Sequence, residues 1–340
     1  MRFNFEATGI GSVPYKDAKS ACNIIFDNFK NIPFWPQLPK SSYLESMYVQ
    51  YSERLPGLVM DEANKHIYID TSGVAETIEE TYGKYLEGDT EFFKISEDHA
   101  RGLYYFLENF NSLAKDVKFV KGHITGPISF ALSVTDQNKR SIIYDKDLFE
   151  VLIKTLVMKA RWQIKKLKKV FPAIIIFIDE PYLVSIGSSY VNVDVAAAFE
   201  KLDELVDSIK SEGVQVGLHC CGNTDWGLVL KRNIDILSFD AYNFTKELAL
   251  YPNELKSYLN RGGTIAWGMI PSSEVVLSQT KKGLRQKFDL ALSELSAKAG
   301  SKEAISSIIT PSCGVGTLDD ETALKVFQFA AALSENLRKE

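Results

Sequence analysis

The hydrophobic and polar positions of this chain follow two alternating patterns. Short apolar runs rich in β-branched residues occupy residues 5–10, 117–124, 173–179, 214–219, 235–239, 264–269 and 307–311. Longer segments, in which apolar residues recur every three to four positions, include residues 147–170, 194–211, 274–299 and 318–337. The first pattern predicts strands and the second predicts amphipathic helices, so we expect a succession of βα units.

The order of these units predicts a single barrel. Strands that are apolar along their whole length are buried on both faces, which indicates a parallel sheet covered by helices. Seven or eight such units without a Pro-, Gly- or Ser-rich linker fit one closed (β/α)8 TIM barrel over residues 1–340 better than an open sheet. A hairpin is predicted to be inserted around residues 55–70. Asp147 and Asp194 are predicted to begin their helices as caps.

Composition and charge exclude several classes of protein. Hydrophobic residues make up 45% of the chain, while the net charge of -5 offers no basic surface for nucleic acid. The longest apolar run is too short to span a membrane, and the first residues do not form a signal peptide. We therefore expect a cytoplasmic protein whose four cysteines stay reduced and serve as ligands, nucleophiles or core residues.

One imidazole and two thiols stand in two short segments that follow or end predicted strands. His219 and Cys221 belong to LHCCGNTDW, and Cys313 belongs to TPSCGVGT. Residues two apart on a strand face the same side, so His219 and Cys221 can share a metal while Cys220 faces the other side. Three such ligands with an open position are typical of a catalytic Zn²⁺ site. For each cysteine taken singly, core packing is the alternative.

A carboxylate near these segments is a candidate fourth ligand. Asp240 follows the predicted strand at 235–239 and is preferred, with a hydrogen-bonded helix cap as its alternative role. Asp225 is expected to cap a helix or to orient His219. The carboxyl ends of all barrel strands meet at one mouth, so these distant segments are predicted to form one site.

Two adjacent carboxylates, Asp179 and Glu180, end the most apolar predicted strand. Burying them is costly unless they meet a cation or strong hydrogen-bond donors. A substrate ammonium group is one such cation, and an internal Lys or Arg is the alternative. The pair therefore predicts either a substrate-binding site or a structural ion pair.

Two turns carry residues suited to anions. Gly11 and Ser12 follow the first predicted strand, where small residues let a ligand approach the backbone and a hydroxyl or N–H group can hold a carboxylate. Thr125-Gly126-Pro127 begins a helix whose first N–H groups favour an anion. Each signal is weak alone, because Pro is also simply a good first residue of a helix.

Together these segments resemble the C-terminal catalytic barrel of cobalamin-independent methionine synthases, in the superfamily that includes uroporphyrinogen decarboxylase. The likeness covers nearly the whole chain. It consists of Ile10-Gly11-Ser12, Thr125-Gly126-Pro127, Asp179-Glu180-Pro181, His219-Cys220-Cys221, Asp240 and Cys313-Gly314. It implies a zinc site whose ligands are His219, Cys221, Asp240 and Cys313, and on which homocysteine binds as a thiolate.

The resemblance also implies a substrate site. Asp179 is expected to hold the amino group of homocysteine, and the turn at residues 10–12 is expected to meet its carboxylate. A glutamate that contacts the homocysteine amino group in the long enzymes of this family corresponds to Asp61 or Glu62 in the inserted hairpin. The complete set of implied substrate contacts is Ile10, Ser12, Glu62, Thr125, Asp179 and Glu180.

Departures from the family pattern bear on the methyl donor. The long enzymes carry a second barrel and a Trp after Thr-Gly-Pro that serves folate binding, whereas this chain continues ISFALSVTDQ. It resembles the short core methionine synthases, which implies a methylcorrinoid donor, either methylcobalamin or a corrinoid protein. Asp240 stands where the long enzymes have Glu, which shortens the reach to the metal by one methylene group.

These observations predict a zinc-dependent thiol methyltransferase that forms methionine from homocysteine and an external methylcorrinoid. One alternative is a corrinoid-dependent methyltransferase that acts on another thiol, such as coenzyme M. Another is a zinc-containing binding barrel without catalytic activity. A porphyrinogen decarboxylase is disfavoured, because such an enzyme needs basic residues to bind the many carboxylates of its substrate.

Overall fold

The computed structural model describes residues 2–188, 191–299 and 305–339. The strands of these residues are β1 (Asn4–Ala7), β2 (Leu58–Asp61), β3 (His66–Ile69), β4 (Val120–Thr125), β5 (Thr135–Asp136), β6 (Ile174–Asp179), β7 (Gln215–Cys220), β8 (Ile236–Phe239), β9 (Thr264–Ile270) and β10 (Ser306–Pro311). The α-helices are α1 (Ala18–Asn28), α2 (Ala75–Glu87), α3 (Arg101–Leu113), α4 (Pro127–Ser133), α5 (Lys146–Leu167), α6 (Val195–Ser211), α7 (Trp226–Leu230), α8 (Ala241–Leu248), α9 (Pro252–Asn260), α10 (Lys281–Ala299) and α11 (Asp320–Leu337). Short 3-10 helices occupy Tyr43–Glu45, Val49–Tyr51, Glu97–His99, Ile142–Tyr144, Pro181–Ser185 and Glu274–Ser278.

Seven strands form one curled parallel sheet in the order β1-β10-β9-β8-β7-β6-β4. Every pair of neighbours in this sheet is parallel, with helices in the connections between successive strands. The seven strands correspond to the seven apolar runs of the sequence. The predicted α/β class and parallel sheet are therefore confirmed.

An irregular segment, residues 33–37, lies between the two edge strands β1 and β4. Phe34 forms a parallel bridge with Lys121 of β4, and Gln37 forms one with Ser12 beyond β1. The N–H of Lys121 donates to the carbonyl of Pro33 over 2.9 Å, and the N–H of Gln37 donates to that of Gly11 over 3.1 Å. This segment takes the place of the eighth strand without being a regular one. The predicted closed (β/α)8 barrel is thus shown only in part.

The prolines of this segment, Pro33 and Pro36, explain its irregular form. Proline has no N–H to donate to a neighbouring strand, so it interrupts a ladder of hydrogen bonds. The same two residues weaken the strand signal in the sequence.

Side chains of the sheet alternate between its inner and outer faces. In β6, Ile174, Ile176 and Ile178 belong to the large core that includes the surrounding helices, whereas Ile175 and Phe177 belong to a separate inner cluster. The inner cluster also contains Ile236, Ala266 and Ile308 from the neighbouring strands. This alternation directs the side chain two positions beyond Phe177, that of Asp179, toward the interior.

The segment predicted as an inserted hairpin forms β2 and β3, which pair in antiparallel fashion. β5 adds to β3 in parallel register, so the insertion is a small three-stranded sheet. The insertion is separate from the seven-stranded sheet.

Two predicted helix starts differ from the structure. The carboxylate of Asp145, not Asp147, caps α5 by accepting from two backbone N–H groups, while Asp194 caps α6 as predicted. The predicted helix at 274–299 is divided into a 3-10 helix and α10, because the Thr280 hydroxyl accepts from the N–H of Gly283 and starts a new helix. No α-helix of the described residues has the length and apolar character needed to cross a membrane.

Candidate metal and substrate site

The candidate site lies at the carboxyl ends of the strands. Thr125 of β4 is the register partner of Asp179 of β6, and Asp179 is the partner of His219 of β7. These three residues therefore lie side by side in one row across the sheet. They line a cavity of about 290 Å³. The other predicted site residues that line it are Ile10, Ser12, Cys221 and Cys313.

His219, Cys221 and Cys313 come together as the sequence suggested. One candidate ligand atom from each residue lies within 4.8 Å of those of the other two. Nδ1 of His219 is 3.0 Å from the Ser238 hydroxyl, and its buried Nε2 has no hydrogen-bond partner among the described residues. An oriented imidazole with one free nitrogen beside two thiols fits Zn²⁺, which binds neutral His and thiolate ligands. Cys220 is fully buried in the outer core.

The two thiols influence each other strongly. The hydrogen bond with Cys313, together with the nearby imidazole of His219, lowers the pKa of Cys221 well below its ordinary value. The same hydrogen bond with Cys221, reinforced by burial, raises the pKa of Cys313. A divalent cation bound between the two sulfurs would favour the thiolate form of both.

The loop after β9 positions Cys313. The Ser272 hydroxyl donates to the carbonyl of Cys313 over 2.7 Å and lies 3.0 Å from its N–H group, which donates to it. The N–H of Ser272 in turn donates to the hydroxyl of Ser312. Reciprocal bonds between two loops hold this cysteine in place.

Asp240 lies outside the group formed by the histidine and the two cysteines. It caps α8, because one carboxylate oxygen accepts from the N–H of Asn243 over 3.0 Å and the other accepts from its side-chain amide over 2.7 Å. This is the alternative role expected from the sequence, and the fourth-ligand role remains a prediction. Asp225 caps α7, and Ser238 rather than Asp225 orients His219.

Glu180 has a structural role that its sequence context did not reveal. One carboxylate oxygen accepts from the N–H of Ile128, and the other accepts from the N–H and hydroxyl of Ser129 over 2.7 and 2.6 Å. The anion predicted for the start of α4 is therefore this carboxylate. A Cβ atom on Gly126 would lie 2.2 Å from Cδ of Glu180, so glycine is required there. Glu180 does not line the cavity, and its role as a substrate contact stays a prediction.

Asp179, in contrast, faces the cavity. Its Oδ1 is buried and has no hydrogen-bond partner among the described residues, and it forms no ion pair with the described Lys and Arg residues. Burial raises the pKa of Asp179 to about 6, although the charges of His219 and Lys121 act in the opposite direction. The carboxylate is thus available to a cationic group of a ligand.

The other predicted substrate contacts differ in whether their polar groups are free to bind a ligand. Ser12 packs against the glycines after Cys313, and its hydroxyl makes no hydrogen bond with the described part of the chain. The hydroxyl of Thr125 already donates to the carbonyl of Met47 over 2.7 Å. Glu62 lies exposed in the turn between β2 and β3 and does not line the cavity, and its substrate contact stays a prediction.

The sequence patterns assigned no role to two basic side chains of β4. Lys121 is fully buried, donates to the carbonyl of Ile10 and lies 4.4 Å from the centre of the Phe177 ring. Burial lowers the pKa of Lys121 to about 7. His123 lines the cavity and is also buried. Polar residues at alternate positions 121, 123 and 125 of an otherwise buried strand were the available signal.

A larger cleft of about 600 Å³ lies elsewhere on the surface. Two of its polar side chains already have partners in the protein, since Lys118 pairs with Glu6 over 2.6 Å and the Asn31 amide donates to the carbonyl of Asp116. It contains none of the predicted site residues. The smaller cavity is therefore the better candidate for chemistry.

No family model matches the sequence, and no curated protein matches it. Among solved structures, a B12-independent methionine synthase from Shewanella sp. W3-18-1 in complex with selenomethionine is 18% identical, with a TM-score of 0.47 over 69% of this chain and 67% of that one. A Bacteroidetes-affiliated GH5 cellulase is 11% identical, with a TM-score of 0.43 over 71% and 79% of the two chains. Because both likenesses are remote, neither assigns an activity.

The paired cysteines give a direct test of the metal site. Cys221→Ala should abolish stoichiometric zinc binding, because it removes a thiolate ligand. Cys220→Ala is the matched control and should retain zinc, since that side chain lies in the apolar core. Metal analysis after dialysis measures both. Equal zinc contents in the two variants would contradict this assignment.

Asp240→Asn, which keeps a good helix cap, should weaken zinc binding only if Asp240 is a ligand.

The environment of Glu180 predicts a pH-dependent stability. Burial raises the pKa of Glu180 from 4.5 to about 7, against the hydrogen bonds from Ser129 and Ile128. The folded state holds the proton of the Glu180 carboxyl more tightly than the unfolded state does. The stabilisation that results is therefore fully present below pH 4.5 and is lost as the pH rises toward 7. The free energy of unfolding of the unmodified protein should therefore fall more steeply over this interval than that of Glu180→Gln. Because only one proton is involved, the two proteins should differ by at most about 1.4 kcal/mol per pH unit in how fast the free energy of unfolding changes.

Urea unfolding of metal-free protein at several pH values measures this difference. Glu335→Gln is the control for loss of a carboxylate, because Glu335 is exposed on α11. The same pH dependence in the unmodified protein and in Glu180→Gln would refute the assignment.

Proposed function

We propose that this protein is a zinc-dependent methyltransferase that forms methionine from homocysteine, with a methylcorrinoid as methyl donor. The observation that carries the proposal is the convergence on one cavity of His219, two thiols and Asp179, whose Oδ1 has no partner among the described residues. Buried polar atoms are normally hydrogen-bonded, so unpartnered ones gathered at a cavity favour a ligand site. The resemblance of the sequence motifs to methionine synthases supports the same activity.

His219, Cys221 and Cys313 would hold the zinc ion, with Asp240 as the predicted additional ligand. When bound, Zn²⁺ supplies the positive charge that keeps a coordinated thiol deprotonated at neutral pH. The protein then needs little acid-base machinery of its own. Ser238 fixes the orientation of the His219 ring, and Ser272 fixes the loop that carries Cys313.

Asp179 suits the ammonium group of an amino-acid thiol. Its free Oδ1 gives a charge-assisted hydrogen-bond acceptor in a buried setting, where such a bond is strong. With its pKa raised to about 6, Asp179 is ionised above that pH and can hold the cation. The Ser12 hydroxyl and the turn at residues 10–12 are the proposed contacts of the carboxylate. Holding both the ammonium group and the carboxylate of the substrate orients its sulfur toward the methyl donor.

The methyl donor is proposed to come from outside the chain. The cavity of about 290 Å³ is just below the range of about 300–1,000 Å³ for small-molecule sites. It suits a small amino acid rather than a corrinoid macrocycle, which would approach the mouth on a separate corrinoid protein or as free methylcobalamin. A methylcorrinoid donor would supply the methyl group to the homocysteine sulfur and would keep the electron pair of the broken Co–C bond.

The two alternatives fit the site less well. A thiol sulfonate such as coenzyme M needs cationic contacts, but the described residues that line the cavity include no Lys or Arg. The nearby Lys121 already donates to the carbonyl of Ile10. An inert zinc site does not account for the free Oδ1 of Asp179 in the same cavity as the three metal-binding side chains, whereas an amino-acid substrate does.

An assay with two donors and two thiols tests the proposal. Zinc-loaded protein should form methionine from homocysteine and methylcobalamin, and should give little product with methyltetrahydrofolate or with coenzyme M. Asp179→Asn should raise the KM for homocysteine at least tenfold, because a buried charge-assisted bond is lost. The zinc content of this variant should be unchanged.

Chromatographic measurement of methionine and S-methyl coenzyme M distinguishes the outcomes. Faster methylation of coenzyme M than of homocysteine would overturn the proposed substrate. Product formation only from methyltetrahydrofolate would overturn the proposed donor. An unchanged KM in Asp179→Asn would show that this residue does not bind the amino group.

A further inference from the structure

The His123 side chain is a buried group that the proposed function leaves without a role. It is only 2% exposed, and neither Nδ1 nor Nε2 has a hydrogen-bond partner among the described residues. The residue lines the same cavity as Ser12 and Asp179. A buried imidazole with both nitrogens unpartnered is unusual, because buried polar atoms are normally satisfied. Its place at the cavity points to a partner supplied by a ligand.

Packing, and not hydrogen bonding, fixes the His123 ring. The ring stacks on the indole of Trp35, with centroids 3.9 Å apart and an interplanar angle of 24°. The indole donates to the side chain of Gln163, whose amide donates back to the carbonyl of His123 over 2.9 Å. The hydroxyl of Tyr51 donates to the same carbonyl over 2.8 Å. These contacts hold the backbone and the ring plane while they leave both nitrogens free.

One face of the His123 ring packs against Gly11, in the turn that is expected to meet a carboxylate. A Cβ atom on Gly11 would lie 3.0 Å from Nδ1 of His123, so the glycine brings the turn and the imidazole into contact. Ser12, the next residue, lines the cavity, and its hydroxyl is free of hydrogen bonds to the described residues. A ligand carboxylate bound at this turn would therefore have an imidazole beside it.

The His123 ring is neutral and can therefore donate one hydrogen bond. Burial, together with the charge of Lys121, lowers the pKa of His123 well below its ordinary value, so the imidazole is neutral. A neutral imidazole has one N–H donor and one acceptor nitrogen. Asp179 can only accept when ionised, so it suits the ammonium end of an amino acid. The carboxylate end needs donors, and His123 offers one.

We propose that His123 determines specificity for the α-carboxylate of the substrate by donating its N–H group to that carboxylate. This inference rests on the proposed function, since it concerns the amino-acid end of the same substrate. It divides recognition between two strands, with Asp179 of β6 holding the ammonium group and His123 of β4 holding the carboxylate. It adds a contact to the turn at residues 10–12.

The test compares homocysteine with 3-aminopropane-1-thiol, which keeps the thiol and ammonium groups but lacks the carboxylate. The unmodified protein should favour homocysteine in kcat/KM. His123→Phe keeps an aromatic ring on Trp35 but has no N–H, and should reduce that preference roughly 10- to 100-fold through the KM for homocysteine. His123→Gln, which retains a donor, should recover part of the preference. The zinc content should stay unchanged in both variants.

A second measurement avoids dependence on the variants. Protein labelled with ¹⁵N in its four histidines can be titrated with homocysteine and separately with 3-aminopropane-1-thiol. The His123 N–H resonance should shift on binding homocysteine and not on binding the aminothiol. His66, which is exposed on β3, serves as the internal control.

The outcomes separate the two proposals. If homocysteine is methylated and His123→Phe discriminates as well as the unmodified protein, the role of His123 is overturned while the proposed function stands. If the unmodified protein binds homocysteine with no change at His123, the inference is likewise overturned. If homocysteine neither binds nor reacts, both proposals fail, whereas a shift at His123 without methyl transfer supports the inference and overturns only the activity.

Discussion

The parallel register of β4, β6 and β7 is the constraint on which the site depends. It sets Thr125, Asp179 and His219 in one row, and each of these residues reaches the cavity because strand side chains alternate between faces. A slip of one residue would turn each side chain toward the helices. The apolar inner cluster below this row, which includes Phe177, holds the strands in that register. Packing in the interior therefore determines the geometry of the chemistry above it.

Two neighbouring carboxylates show how the fold assigns different tasks to similar residues. Glu180 is satisfied by the start of α4 and stabilises the connection between two strands. Asp179, one residue earlier, faces the opposite way, and its Oδ1 has no hydrogen-bond partner in the described part of the chain. Leaving buried polar atoms unpartnered is costly for folding, and such a cost is typical of a site whose partner is a ligand.

Much of the fold and part of the site could be predicted from local patterns. The apolar runs located the seven sheet strands, and alternation along β7 separated Cys221 from Cys220. Roles that depend on tertiary contacts could not be predicted. The start of α4 and Glu180 were each identified as needing a partner, but only the structure shows that they bind each other. Residues 33–37 escaped detection because prolines interrupt the strand pattern.

The central claim is that His219, Cys221 and Cys313 form an open zinc site that takes up the thiol of homocysteine. X-ray absorption at the zinc edge, recorded on zinc-loaded protein with and without homocysteine, tests this claim most directly. The account predicts that homocysteine adds one sulfur to the two cysteine sulfurs around the metal. An unchanged set of ligands in the presence of saturating homocysteine would contradict it.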